Sequence, residues 1–90
     1  MHEHSYKNSS IIEPGSNQRN IDLSGADLSR LNLRDVDFSG ANLSGASLSD
    51  SNLYNANFSG ANLSGANLSG VSLSYENLSY ETFSGANFSD

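Results

Sequence analysis

From Ile21 onward, a large apolar residue recurs at every fifth position without a slip, beginning at Leu23 and Leu28 and ending at Phe83 and Phe88. Each of these centres is Leu or Phe, and the next residue is Ser everywhere except at Arg34 and Tyr54. Two places before the centre the chain is mostly apolar or small, as at Ile21, Ala26, Leu31, Val36, Ala41 and Ala46. The 70 residues from Ile21 to Asp90 divide into 70/5 = 14 units with no insertion or deletion.

Neither regular element can use this spacing when straight. Five residues of α-helix advance about 500°, so successive centres fall about 140° apart and never form a stripe. A straight strand alternates faces with period two, so an odd step puts every second centre on the wrong side. Within one unit, however, the two inward residues are two apart, as in a short strand. A strand that turns a corner and starts again builds a solenoid around a central apolar column. Residues stacked in successive coils share an environment, which lets the coil length be read. Gly falls at 25, 45, 65 and 85 and also at 40 and 60, Ala at 26, 46, 66 and 86, and Phe at 38 and 58. A coil of 20 residues, four units, accounts for these matches; one of 15 accounts for somewhat fewer.

The run A-[DN]-[LF]-S-G, as in Ala26-Asp27-Leu28, Ala41-Asn42-Leu43-Ser44-Gly45 and Ala61-Asn62-Leu63-Ser64-Gly65, resembles the pentapeptide repeat family, whose units follow A(D/N)LXX. The resemblance covers 70 of the 90 residues. It implies an all-β protein, a right-handed quadrilateral parallel β-helix, here of 14/4, about 3.5, coils. At about 4.8 Å per coil the solenoid is about 17 Å tall. Residues 21–90 form the solenoid in this reading. Residues 1–20 form a polar leader and N-terminal cap, with Ile11-Ile12 plugging the lower end before a turn at Pro14-Gly15. Ala lets walls approach, Gly accepts corners of positive φ, and the Asn or Asp before each centre bonds nearby backbone or ladders with the coil above. Glu76 and Glu81 fall at inward positions, where an unpaired carboxylate is costly, so both are expected to reach water through loosened corners. Phe83 and Phe88, near the end of the sequence, offer apolar surface beside unpaired strand edges, which leaves two readings of that end, a homodimer formed by end-to-end coil stacking or a ragged monomer.

Charge and composition narrow the function. Ten acids against four Lys and Arg give a net charge of −6, which argues against a basic nucleic-acid footprint. With no cysteine there is neither a disulfide nor a thiolate nucleophile. No apolar run approaches a membrane span and the N-terminus lacks the layout of a signal peptide, which leaves the cytoplasm as the default address. The serines have no neighbouring base, and the only histidines, His2 and His4, lie in the leader, where with Glu3 they make at best a weak, open metal site. Asp35 and Asp37 are close in sequence but nothing marks a pocket between them. No enzymatic function, cofactor or resident metal is expected. An ice-binding wall of hydroxyls is disfavoured because Thr82 is the only threonine. The resemblance also raises DNA mimicry directed at DNA gyrase or another topoisomerase. The repeats hold 8 acids and 2 bases, a net of 8 − 2 = 6 negative charges. The predicted height, however, spans only about five base pairs.

The best remaining reading is a protein-interaction or scaffold module with an unidentified protein partner. Its signal lies where the repeat is broken. On a 20-residue coil the wall centred on Leu33, Leu53 and Leu73 carries Arg34-Asp35, Tyr54-Asn55 and Ser74-Tyr75 outward, with Tyr80 one unit further round. Arg34 is expected to lie beneath Tyr54, in reach of a cation–π contact. The candidate partner patch is therefore Arg34, Asp35, Tyr54, Asn55, Tyr75 and Tyr80, and the competing reading is harmless drift on a permissive outer wall.

Overall fold

Parallel bridges tie each unit to the one twenty residues ahead of it in the computed structural model, which describes residues 12–73 and 86–87. They run Asn17 to Asp37, Asp22 to Asn42, Asp27 to Ser47 and Asn32 to Asn52. They continue one coil higher from Asp37 to Asn57, Asn42 to Asn62, Ser47 to Asn67 and Asn52 to Ser72, and reach Asn67 to Asn87. Four pentapeptides therefore make one coil. Each strand is so short that the ladder depends on a few bonds per unit. Leu23 N donates to Asn42 O at 2.8 Å and Gly25 N to Ser44 O at 2.9 Å, while Asn42 N donates down to Ile21 O at 2.8 Å.

The corner is a four-residue turn that begins at the centre of a unit. Ala26 N closes on Leu23 O at 3.0 Å, and the same bond recurs at Ala41, Ala46, Ala56, Ala61 and Ala66. The third residue of every such turn has positive φ, as a type II turn requires. Glycine fills that place seven times between Gly15 and Gly70; Asn20, Arg30, Asp35, Asp50 and Asn55 fill it with φ between 58° and 63°. Asn and Asp tolerate the left-handed region because their short side chains bond locally. Arg30 has no such compensation.

The Asn or Asp before each centre settles into one role. Its Oδ1 accepts the backbone N–H two residues on, as in Ser44 N to Asn42 and Ser64 N to Asn62, at 3.1 and 3.0 Å. The same bond is made by Asn17, Asp22, Asp27, Asn32, Asp37, Asn52, Asn57 and Asn67. These Asx turns supply the strand-to-corner bend from within the unit.

Inside, Leu23 to Leu68 fill the axis with every centre fully buried, and Ala26, Val36, Ala41, Ala46, Ala56, Ala61 and Ala66 line the walls. Phe38 and Phe58 lie one above the other with ring centroids 5.3 Å apart and planes 9° from parallel. Each such buried side chain contributes roughly 1.5–3 kcal/mol. At the lower end Ile12 is buried against this core, and Gly15 N donates to Arg34 O. The ladder also takes in residues 16–18, where Gln18 N donates to Asp37 O and Asp37 N donates back to Ser16 O, although this unit has no Leu or Phe at its centre. Ile11, Glu76, Glu81, Phe83 and Phe88 lie outside the described residues. Among the described residues no helix is long and apolar enough to cross a membrane.

Two stability outcomes follow from this architecture. Phe58→Leu keeps the axis filled as at Leu63 but gives up the ring stack, and should lower the unfolding free energy in urea by about 0.5–1.5 kcal/mol; Phe58→Ala, which leaves a cavity, should lower it by about 3–5 kcal/mol. Arg30→Gly removes a left-handed strain of about 1–2 kcal/mol against a chain-entropy cost of about 0.5–1 kcal/mol. It should raise the urea midpoint slightly without changing the slope.

Candidate interaction site

The wall over Leu33 and Leu53 departs from the Ser-Gly rule because its units end in Arg34-Asp35 and Tyr54-Asn55. The twenty-residue coil sets these two dipeptides directly above one another. The Arg34 guanidinium carbon lies 5.6 Å from the centroid of the Tyr54 ring. Beside it, Asn55 Nδ2 donates to Asp35 Oδ1 at 2.7 Å. Tyr54 is 50% exposed and is the one large apolar side chain among the described residues that faces solvent to this degree. Both Asp35 and Asn55 sit at corners of positive φ, so the turn aims their Cβ atoms alike and the bond between them joins two equivalent corners. The four residues form a cation–π pair and an amide–carboxylate pair, side by side on two successive coils. Tyr75 and Tyr80 lie outside the described residues.

The next wall carries a second charged contact. Arg19 Nε lies 3.9 Å from Asp37 Oδ2, with both side chains partly exposed, so the ion pair itself adds little. The Asp37 carboxyl is held below its ordinary value of 3.8, chiefly by the Ser39 hydroxyl, then by the Ser39 backbone N–H, with Arg19 adding attraction and partial burial opposing. Ser39 N donates to Asp37 Oδ1 at 3.0 Å. The pattern of centres does not announce this contact, because Arg19 precedes the regular repeats and pairs with a residue 18 ahead.

Ser51 is the other residue that the pattern conceals. It stands at a wall position usually held by Ala and is 1% exposed. Its Oγ donates to Leu28 O at 2.6 Å and accepts Leu31 N at 3.0 Å. A serine where alanine is the rule was the available sign.

The remaining surface offers little for chemistry. Ser24, Ser44 and Ser64 each donate their hydroxyl to the Asx oxygen two residues back, at 2.8, 2.9 and 2.8 Å. Among the described residues no group of three His, Cys, Asp or Glu side chains is placed to hold a metal; His2 and His4 lie outside them. Charge is unevenly distributed: between Asp37 and Glu76 the only charged residue is Asp50.

Comparison with known proteins identifies the repeat. The family model described as "Pentapeptide repeats (8 copies)" matches residues 15–50 and again 51–90. No curated protein sequence matches the chain. Among solved structures it is similar to a pentapeptide repeat protein from the thylakoid lumen of Arabidopsis thaliana, with 23% identity and a TM-score of 0.46. That alignment covers 83% of this chain and 59% of the other, so this chain spans less than two thirds of its neighbour's length.

The depressed Asp37 pKa has a testable sign. Its stabilising contribution is present above the ordinary value and is lost as pH falls through the depressed one. Asp37→Asn keeps the Asx bond, as Asn57 shows with Ser59 N at 2.9 Å. Wild type should therefore hold an advantage over the variant in urea midpoint near pH 5 that shrinks steadily below about pH 3.8.

Proposed function

Because the chain belongs to the pentapeptide repeat family, whose β-helix is generally a non-enzymatic module, we propose that it is an interaction or scaffold protein. In this reading it is a right-handed four-sided solenoid of about 3.5 coils. Its protein partner docks on the wall bearing Arg34, Asp35, Tyr54 and Asn55. The observation that carries the proposal is the Arg34–Tyr54 contact. It places an exposed aromatic ring and a guanidinium together on a solenoid whose outer corners are mostly Ser and Gly. Tyr and Arg are the residues most often found at the energetic centres of protein interfaces. The neighbouring Asp35–Asn55 bond holds the edge of the patch and leaves little side-chain entropy to lose on docking.

The other readings draw less support. A duplex mimic needs charge spread evenly along its length, whereas Asp50 alone is charged between Asp37 and Glu76. An ice-binding wall needs hydroxyls turned outward, whereas those of Ser24, Ser44 and Ser64 donate to their own Asx neighbours.

The test is affinity capture with the wild-type chain and with the double variant Arg34→Ser, Tyr54→Ser, both checked for equal folding by circular dichroism. A partner of the patch should be retained by wild type and bind the variant at least about 30-fold more weakly, the scale of a lost interface hot spot. Identical capture profiles would sink the patch.

A further inference from the structure

A chain of near-identical units faces a hazard that ordinary folds do not. Sliding one coil past the next by a single pentapeptide returns Leu to Leu, Ser to Ser and, for most units, Asn to Asn. Something must make the twenty-residue pairing better than its neighbours, and the apolar axis alone does so weakly.

We propose that Ser51 is the register key of the solenoid, and that by fixing the coil at this point it positions Tyr54 over Arg34. In the turns that end at Ala26 and Val36, the backbone N–H closes directly on the centre's carbonyl, Leu23 O at 3.0 Å and Leu33 O at 3.3 Å. In the turn from Leu28 to Leu31 between them, the Ser51 hydroxyl stands between the two groups, donating to Leu28 O and accepting Leu31 N. That open turn is twenty residues from Leu31 to Ser51. Shifted by one unit in either direction, Ser51 meets the Ala26 turn or the Val36 turn, each already closed on itself. Its hydroxyl would then be buried in an apolar wall with its donor and acceptor unmet, and such a group is costly. This is the logic by which one buried polar side chain fixes the register of a coiled coil. Ser51 is also the one buried polar residue among those described. A slip of one unit at this coil would bring Tyr54 over Ser29 and Asn55 over Arg30, and both contacts of the patch would be lost.

The absence of cysteine from the chain makes register directly measurable, because equivalent corner residues of adjacent coils stack at about the 4.8 Å strand spacing, within disulfide range. One reporter carries Ser29→Cys with Ser49→Cys, which face each other in the twenty-residue coil. The other carries Ser24→Cys with Ser49→Cys, which meet only after a one-unit slip. Each is made with Ser51 and with Ser51→Ala and oxidised under mild conditions, with circular dichroism recorded on every sample. With Ser51 present, the first pair should cross-link fully and the second only in traces. With Ser51→Ala the chain should still fold, since Ala occupies this wall position at Ala46 and Ala56, and cross-linking of the second pair should rise at least fivefold. A folded Ser51→Ala chain whose second pair stays at the wild-type level overturns the proposal. So does a chain that fails to fold, because the hydroxyl would then be needed for stability rather than for choice of register. The result does not depend on whether the Arg34–Tyr54 patch has a partner.

Discussion

A strand of three residues can recur every five only if the chain makes the same corner each time, and that corner demands a left-handed residue as its third member. From Gly15 to Gly70 every fifth residue has positive φ, whatever its side chain. The remaining features follow from that constraint. It sets the unit length, lets the next strand start at the right angle, and brings the N–H of most new units back onto the preceding centre. Glycine is the cheapest occupant, and at Gly40 and Gly70 it also leaves room for a side chain from the coil below. A Cβ there would push aside the ends of the Asn20 and Asp50 side chains in the coil below.

Much of this was legible from residue spacing. Leu and Phe at every fifth place specify an axis, and Phe38 and Phe58, twenty apart, pointed to the coil length that the parallel bridges show. The prediction that Arg34 lies beneath Tyr54 rested on the same arithmetic and matches the observed contact. What spacing cannot convey is direction within a unit. The Asx residues were open to two uses, a local bond or a ladder with the coil above, and the local one prevails because the backbone N–H two residues on is the nearest unmet donor. Residues 16–20 carry the ladder with Gln18 at the centre. The backbone pairs there without a hydrophobe to mark the unit. Ser51 was hidden for a different reason, since its use depends on a turn one coil below.

The candidate site inherits its geometry from the scaffold. Two dipeptides that break the rule are far apart in sequence and become neighbours only through the coil, much as a column of print aligns letters from different lines. The wall beneath them, Leu33 and Leu53, is fully buried, so the patch rests on a rigid base. That is the arrangement in which exposed residues keep their positions at low entropic cost.

The Asx turns have a consequence for how the molecule ages. Asparagine side chains deamidate when the backbone nitrogen of the following residue attacks the amide carbon and closes a five-membered imide. At two asparagines that nitrogen is occupied: Leu43 N, which follows Asn42, donates to Asn62 O at 2.7 Å, and Leu68 N, which follows Asn67, donates to Asn87 O at 2.6 Å. The amide oxygens of Asn42 and Asn67 are fixed in turn by the N–H two residues on. Asparagine is among the more labile residues in long-lived proteins. At Asn42 and Asn67 the ladder holds the attacking atom and the turn holds its target, so the bonds that build the coil also slow the chemical ageing of these side chains.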